Sequence, residues 1–491
     1  MSQSSVDLRP APPIRPVLAM LAAHDPAADP RIRWEAESAR PYFDVYVLGL
    51  DDGGTRPGGE SLTPGIPVRR CAPEMQTTVA TARSLIRLLW RRAYAPLRRG
   101  AGQARAPGRF LVALVMTGGV AAHLVLGLIR SAGAPATGRG GDAAGAGLRP
   151  HRLRRRLGRW LRAIGLFHWG LLLWQIRHVA GAALVLREAV DRLPRSLALV
   201  HCNDLDTLLA GASVKDGSGA RLVYDAHEFW PHSFPEVGAS FRWFFTVYEA
   251  MLIGDADEVI SVNPLMAGHL ARVYGLDHVR SVPNAEPYIA TRAARADEEM
   301  DRLAAGRVRF LFQGRLAAER GLDELVRAWD RDPPENAVLF LRGPDSSYKD
   351  RLRHESRGLA CYDRSLFFLP GVAEDELIAA AAPADVGIIP YAPSSMNNRY
   401  ACPNKLSQYL HAGLMVLSND LAYVRQVLEA DGTGMVTDFD DGPALSALLK
   451  KIAADPALRA RCRANAARAA REHFNWQRVA PDLLAAYAIQ V

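Results

Sequence analysis

Twice along this chain a short apolar run closes on a turn or polar residue, a helix-period segment follows, and the pattern begins again. The first series holds PVLAMLAA, FDVYVLGL, LALVHCND, RLVYDAHE and DEVISVNP, with helical patterns over 31–40, 241–254 and 266–274. The second holds VRFLFQGR, AVLFLRGPD, SLFFLPGV, DVGIIPYA and LMVLSND, each followed by a helical pattern. Such alternation builds βαβ units on a parallel sheet. The expected fold is therefore α/β, with two doubly wound halves, and 491 residues are enough for two large domains. The spacing predicts an N-terminal domain over 1–285, a charged, Ala-rich linker over 286–306, a C-terminal domain over 307–475 and a last helix over 476–491; that this helix crosses back to the N-terminal domain is an expectation that spacing alone does not give. Open α/β sheets bind ligands at the carboxyl ends of their strands. The residues to watch there are His24, Asp204, His227, Asn263, Arg315, Asp345 and Tyr391.

Composition excludes several other classes. With 49% hydrophobic and 23% charged residues the chain can bury a core, which rules out wholesale disorder, a collagen and a multispan channel. The five cysteines are odd in number and scattered, without a C-x-x-C pair, so neither a disulfide scaffold nor a zinc ribbon fits and a reducing compartment is expected. The apolar run over 17–23 is short and runs into HDPAADPR, which does not read as a signal peptide. The net charge of +8 is confined to one place: residues 83–162 hold seventeen Arg against a single acid, Asp142, and the rest of the chain is net acidic.

That basic segment belongs to a stretch, 84–195, that breaks the βα rhythm. It includes 110–129, twenty residues without Asp, Glu, Lys or Arg, and 163–176, fourteen more. About 20 apolar residues span a bilayer, so only the first run reaches that length. A single crossing would separate the first two strands of the N-terminal sheet from the other three, so any number of crossings is even. Three arrangements remain: an interfacial or shallow re-entrant hairpin, a two-span hairpin, and a buried or partly disordered insertion. Arg152, Arg154, Arg155, Arg156, Arg159 and Arg162 beside Trp160, Trp169 and Trp174 favour the first, because Arg attracts anionic headgroups and Trp prefers the interface. Nucleic acid would use the same charge but would leave the apolar runs without a purpose, so no nucleic-acid partner is expected.

Three pieces carry chemistry. FQGRLAAERGLDEL places Arg315 at a strand end and Arg320 at a helix start, and two guanidinium groups beside helix N-terminal amides suit a diphosphate. IIPYAPSSMNNRYACPNKLSQYLHAG is a strand, a polar loop and a helix that opens at PNK, where Asn404 is placed to cap, Lys405 adds charge and Gln408 lies one turn further on. RLVYDAHEFWP gathers Asp225, His227 and Glu228 at a strand end, where a histidine often has a purely structural role. Metal-ligand spacing, a nucleophile elbow and a P-loop are all missing from the sequence.

Taken in order, HDPAADPRIRWEAESA, VHCNDLDTLLAG, LVYDAHEFWP, VPNAEP, FQGRLAAERGLDELVRAW, PNKLSQYLHAGLMVLSND and FNWQRVAPDLLAAY resemble the family 4 glycosyltransferases of the GT-B fold across nearly the whole chain outside the insertion. The resemblance implies two Rossmann-like domains, a nucleotide-sugar donor held mainly by the C-terminal one, a glycan or lipid-linked acceptor on the N-terminal one, and transfer with retention. It places Arg315, Arg320 and Lys405 on the donor diphosphate, Gln408, Asn404, Asn397 and Asn398 on the ribose and sugar, His227 and Glu228 at the reacting centre, and His24, Asp25 and Asp204 on the acceptor side. It implies neither cofactor nor metal. Two departures stand out: Gln408 replaces a ribose-binding Glu, and Tyr400 replaces the acid eight residues before it. The expectation is thus a retaining transferase in the cytoplasm, peripherally bound to an anionic inner membrane face. A catalytically silent scaffold and a nucleotide-sugar epimerase are the alternatives.

Overall fold

The computed structural model describes residues 15–51, 61–72, 75, 77–98, 106–132, 166–233, 237–290 and 296–489. Contacts group the chain into two compact units. The first takes residues 1–148, 173–224 and 255–257, and the second takes 149–172, 225–254 and 258–491.

In the first unit the strands β1 (Val17–Ala22), β2 (Asp44–Leu50), β3 (Ser61–Thr63), β4 (Ile66–Cys71), β5 (Leu197–Asn203) and β6 (Arg221–Ala226, whose last two residues are counted with the second unit) run in the order β3-β4-β2-β1-β5-β6. β1 pairs in parallel with β2 and β5, and β2 with β4. Every residue of β1 is buried, as a strand covered on both faces requires. The sequence pattern missed β3 and β4, which form a small antiparallel pair. Their residues, SLT and IPVRRC, are too short and too basic to stand out as apolar runs.

The second unit contains the parallel pair β7 (Glu258–Ser261) and β8 (Arg280–Ser281) and a six-stranded parallel sheet. The sheet comprises β9 (Val308–Gln313), β10 (Ala337–Gly343), β11 (Leu366–Pro370), β12 (Val386–Ile389), β13 (Met415–Ser418) and β14 (Gly434–Val436), in the order β11-β10-β9-β12-β13-β14. The chain winds outward from β9 to β11, returns to β12, and winds the other way. The carboxyl ends of β9 and β12 therefore flank a topological switch point, where such sheets leave a crevice. The helix Trp476–Ala486 packs on β7 and β8. Both units are parallel-sheet, Rossmann-like α/β folds.

The described residues of the stretch that broke the rhythm are mostly helical, and the first helix begins earlier than the sequence suggested. Helices run over Val79–Arg98, Ala106–Ala132 and Leu166–Asp191. The first packs against the second and against Leu205–Ser218. Two apolar windows, Pro107–Leu126 and Trp169–Asp191, are long and apolar enough to cross a membrane by length and composition, but 22% of the first and 61% of the second is buried within the protein. The fourteen-residue reading of the second run stopped too soon. Its helix continues through Val179, Ala183, Leu186 and Ala189, all fully buried, and leads into β5 as a core helix. The cluster Arg152 to Arg162, with Trp160, lies outside the described residues. None of the five cysteines forms a disulfide, and all are buried.

Candidate functional site

The switch point of the second unit holds a cavity of about 670 Å³, lined among others by His227, Arg315, Arg320, Lys405 and Gln408. It forms because two loops cross there on glycine. After β9 the chain turns at Gly314, φ +121°, where a Cβ would stand 2.7 Å from Lys405 Nζ. Gly321, φ +66°, opens the helix Leu322–Arg331, and a Cβ there would meet the Pro390 carbonyl at 2.0 Å. L side chains rarely adopt either backbone conformation.

Positive charge collects under these turns. Lys405 is 9% exposed; its Nζ donates to the Tyr391 hydroxyl at 3.2 Å and lies 5.0 Å from the centre of the Phe312 ring. Arg320 lays its guanidinium over Tyr391 at 4.1 Å, and its Nε is buried without a hydrogen-bond partner among the described residues. Burial pushes the Lys405 ammonium below the ordinary lysine range; Tyr391 draws it back up while Arg320 presses it further down. Burial raises the Tyr391 phenol, yet Lys405 and Arg320 outweigh that and hold it below its usual range. Arg315 is mostly exposed and donates to Glu319 Oε1 at 2.8 Å.

The helix Asn404–His411 starts at the same place. Asn404 does not cap it as the sequence suggested: Pro403 occupies the cap position, Asn404 is the first helical residue, and no side chain covers the helix start. Proline fixes the backbone there but offers no acceptor, so the positive end of the helix is left to whatever fills the cavity. Lys405 and Gln408 are buried on this helix, and Gln408 Nε2 donates to Glu286 Oε1 at 3.4 Å.

The loop after β6 supplies the other wall. His227 Nε2 donates to Asp225 Oδ2 at 3.1 Å; the carboxylate is fully buried, and an ionised carboxylate only accepts. Glu228 is exposed and lines the cavity. The backbone N–H of Phe229 donates to Asn397 Oδ1 at 3.0 Å, which ties this loop to the one after β12. Asn398 donates through Nδ2 to the Ala392 carbonyl at 2.9 Å. Each asparagine thus commits one end of its amide to loop structure while lining the cavity. Ser233, Asn284 and Glu319 line it too and were missed by the sequence reading. Asn284 was within reach, since it sits in the VPNAEP string.

Other expected residues lie elsewhere. Tyr400 is not among the cavity residues: its ring lies 5.6 Å from that of His269 and its carbonyl accepts from Asn263, which caps the helix Pro264–Tyr274. Asp345 is exposed and pairs with Lys349. His24, Asp25 and Asp204 belong to the first unit. His24 lies 3.8 Å from Asp29; Asp25 accepts from the backbone N–H of Ala27 and from Arg70 Nε at 3.1 Å. Asp204 starts the helix Leu205–Ser218 at φ 63° without a side-chain cap bond. Asp25 therefore has a structural role in addition to any contact with an acceptor.

The two parallel-sheet Rossmann-like domains, with a cationic cavity at a switch point, define a protein of the GT-B class. The comparisons agree. The profile of "Glycosyltransferase Family 4" matches residues 142–285, and that of "Glycosyl transferases group 1" matches 296–469. A D-inositol 3-phosphate glycosyltransferase of Xylanimonas cellulosilytica is 27% identical over 251 residues, which cover 49% of this chain and 58% of that one. The match thus spans little more than half the length of the curated relative. Among solved structures, the sucrose-phosphate synthase of Thermosynechococcus elongatus superposes with a TM-score of 0.60 at 15% identity, covering 96% of this chain and 98% of that one. HepE of Anabaena, in complex with UDP-glucose, gives a TM-score of 0.59 at 14% identity, covering 96% and 99%. The chain belongs to the family 4 glycosyltransferases.

Lys405 yields a test with a definite sign. Its folded pKa is depressed, so the unfolded chain binds that proton more tightly; the buried ammonium opposes folding at neutral pH, and stability rises as pH climbs toward the ordinary lysine range. Lys405→Met should raise the melting temperature at pH 7 by about 2 °C, while calorimetric binding of inorganic pyrophosphate is lost. A lower melting temperature with unchanged pyrophosphate binding would show Lys405 to be a structural partner of Tyr391.

Proposed function

We propose that this protein is a retaining glycosyltransferase that moves a sugar from a nucleoside-diphosphate sugar to a lipid-linked or cell-surface glycan acceptor at an anionic membrane surface. The observation that carries the donor half is the excess of fixed positive charge at the switch point: a buried lysine, an arginine with a buried unpartnered N–H, and a helix start without a cap. Departure of a nucleoside diphosphate develops negative charge, and preorganised cations and amides that meet it stabilise the transition state. Arg320, Lys405 and the start of Asn404–His411 supply them, and Arg315 joins when it exchanges Glu319 for phosphate. On this reading no metal is required for that step. HepE, a fold relative, has been crystallised with UDP-glucose. His227, held by Asp225, orients the transferred sugar, and Glu228 faces the same space. With retention, the acceptor attacks from the side the diphosphate leaves, so no protein nucleophile takes part.

Exposed apolar side chains support the membrane half. On the helix Leu166–Asp191, Trp169, Leu173 and Trp174 are 54%, 61% and 59% exposed; on Ala106–Ala132, Leu111 and Leu114 are 50% and 57% exposed. A spacing of four residues puts Trp169 and Leu173 on one helix face, with Trp174 next to Leu173, and the seventeen-arginine segment ends shortly before them in the sequence. Each basic residue near an anionic surface contributes about 1 kcal/mol, and apolar insertion adds a part that salt does not screen. This reading locates the protein in the cytoplasm, peripherally on the inner face of the membrane.

Two experiments test these halves separately. In a thermal-shift panel of UDP-, GDP- and ADP-sugars with a hydrolysis readout, one donor should stabilise the protein, and Arg320→Ala should weaken its binding by about 1.5–3 kcal/mol. A panel without a responding donor would refute the transferase reading. In sedimentation with acidic liposomes, the intact protein should pellet and be only partly released by high salt. The triple substitution Trp169→Ser, Leu173→Ser, Trp174→Ser should become fully salt-releasable without loss of donor binding. An intact protein that stays in the supernatant at low ionic strength would refute the membrane reading.

A further inference from the structure

Glu286 lies beside the cavity without being one of its wall residues, and its carboxylate accepts from Gln408 Nε2 at 3.4 Å. Backbone bonds hold it there. The Glu286 N–H donates to Ser407 Oγ at 2.7 Å, one residue before Gln408, and the Glu286 carbonyl accepts from the N–H of Trp476 at 3.0 Å, at the start of the last helix. Asn475 in turn caps that helix through Arg478 N. Glu286 is therefore clamped between the helix that carries Gln408 and the C-terminal helix.

A side-chain amide has a donating end and an accepting end of nearly the same shape, so packing alone does not decide which end faces a ligand. An ionised carboxylate decides it, because it accepts and does not donate. With Nε2 committed to Glu286, the carbonyl Oε1 is the end that Gln408 offers to the cavity. Nucleotide ribose presents hydroxyl donors, which such an oxygen accepts.

We propose that Glu286 is a positioning residue that sets the Gln408 amide to accept hydrogen bonds from the ribose hydroxyls of a nucleoside diphosphate. The inference rests on the donor-site reading above. It also accounts for glutamine rather than glutamate at 408: a carboxylate there would touch that of Glu286, and two carboxylates in contact cannot both ionise without cost. The pair works as one carboxylate and one amide. The charge belongs on one side of the contact, and in this chain that side is Glu286.

The test is calorimetry on the full chain with UDP, GDP and ADP and with their 2′-deoxy counterparts, alongside thermal unfolding of each variant. Wild type should prefer the ribonucleotide over its deoxy form by about tenfold, the equivalent of one hydrogen bond to a fixed acceptor. Glu286→Ala should abolish that preference. Gln408→Glu should weaken ribonucleotide binding by about tenfold, and adding Glu286→Gln should restore both affinity and preference, a rescue that a merely structural role would not produce. The exchanged pair conserves volume, so it decides the question if Glu286→Ala folds poorly. A preference that survives in Glu286→Ala, or an exchanged pair no better than Gln408→Glu alone, overturns the inference. A wild type that binds a nucleotide without ribose preference overturns the inference alone, whereas one that binds none of the six nucleotides overturns the donor-site reading beneath it.

Discussion

A lysine ammonium buried beneath two crossing loops sets the terms for the rest of the second unit. Lys405 sits against Tyr391 and Phe312, and a side chain at position 314 would take its place. A cation so placed costs free energy in the absence of an anion, and Arg320 stacked on the same tyrosine adds to that cost. Neighbouring parts of the fold concentrate the charge further. The strand order reverses between β9 and β12, Gly314 and Gly321 bring their loops together there, and Pro403 leaves a helix start uncapped in the same crevice. The local strain and the charge become intelligible together once a diphosphate fills the cavity.

The same economy appears in the helical stretch of the first half of the chain. Leu166–Asp191 does two things along its length. Its later turns, through Val179, Ala183 and Leu186, are core; its earlier turns present Trp169, Leu173 and Trp174 to the outside. A helix with one end anchored in the core and the other end apolar and exposed suits docking on a surface, and the seventeen arginines between 83 and 162 suit an anionic one.

Much of this was legible in the sequence because buried parallel strands leave a strong local signal. All ten apolar runs became strands, and the residues after β9 and β12 that the strand-end rule singled out, Arg315 and Tyr391, line one cavity. What escaped has physical reasons. β3 and β4 are short and polar, so periodicity could not find them. The fourteen-residue apolar run concealed a longer helix because Arg177 and His178 interrupt the run but not the helix. Asn404 looked like a cap because asparagine usually is one, yet the preceding proline took that position. Glu286 escaped because its role depends on a contact 122 residues away in sequence, and local patterns carry no information about such pairs. Asn397 and Asn398, expected on the ribose and sugar, line the cavity, but their bonds to Phe229 and Ala392 could not be read from spacing.

The central claim is that the crevice between the ends of β9 and β12 is where a nucleoside diphosphate binds. Amide hydrogen exchange followed by mass spectrometry, with and without a saturating nucleoside diphosphate, tests it most directly. Ligand-dependent protection should appear in peptides covering 314–321 and 403–408, and the core strand β10 should be unchanged, since only the cavity walls gain partners. Protection confined to the first unit, or binding without protection at either loop, would contradict the account.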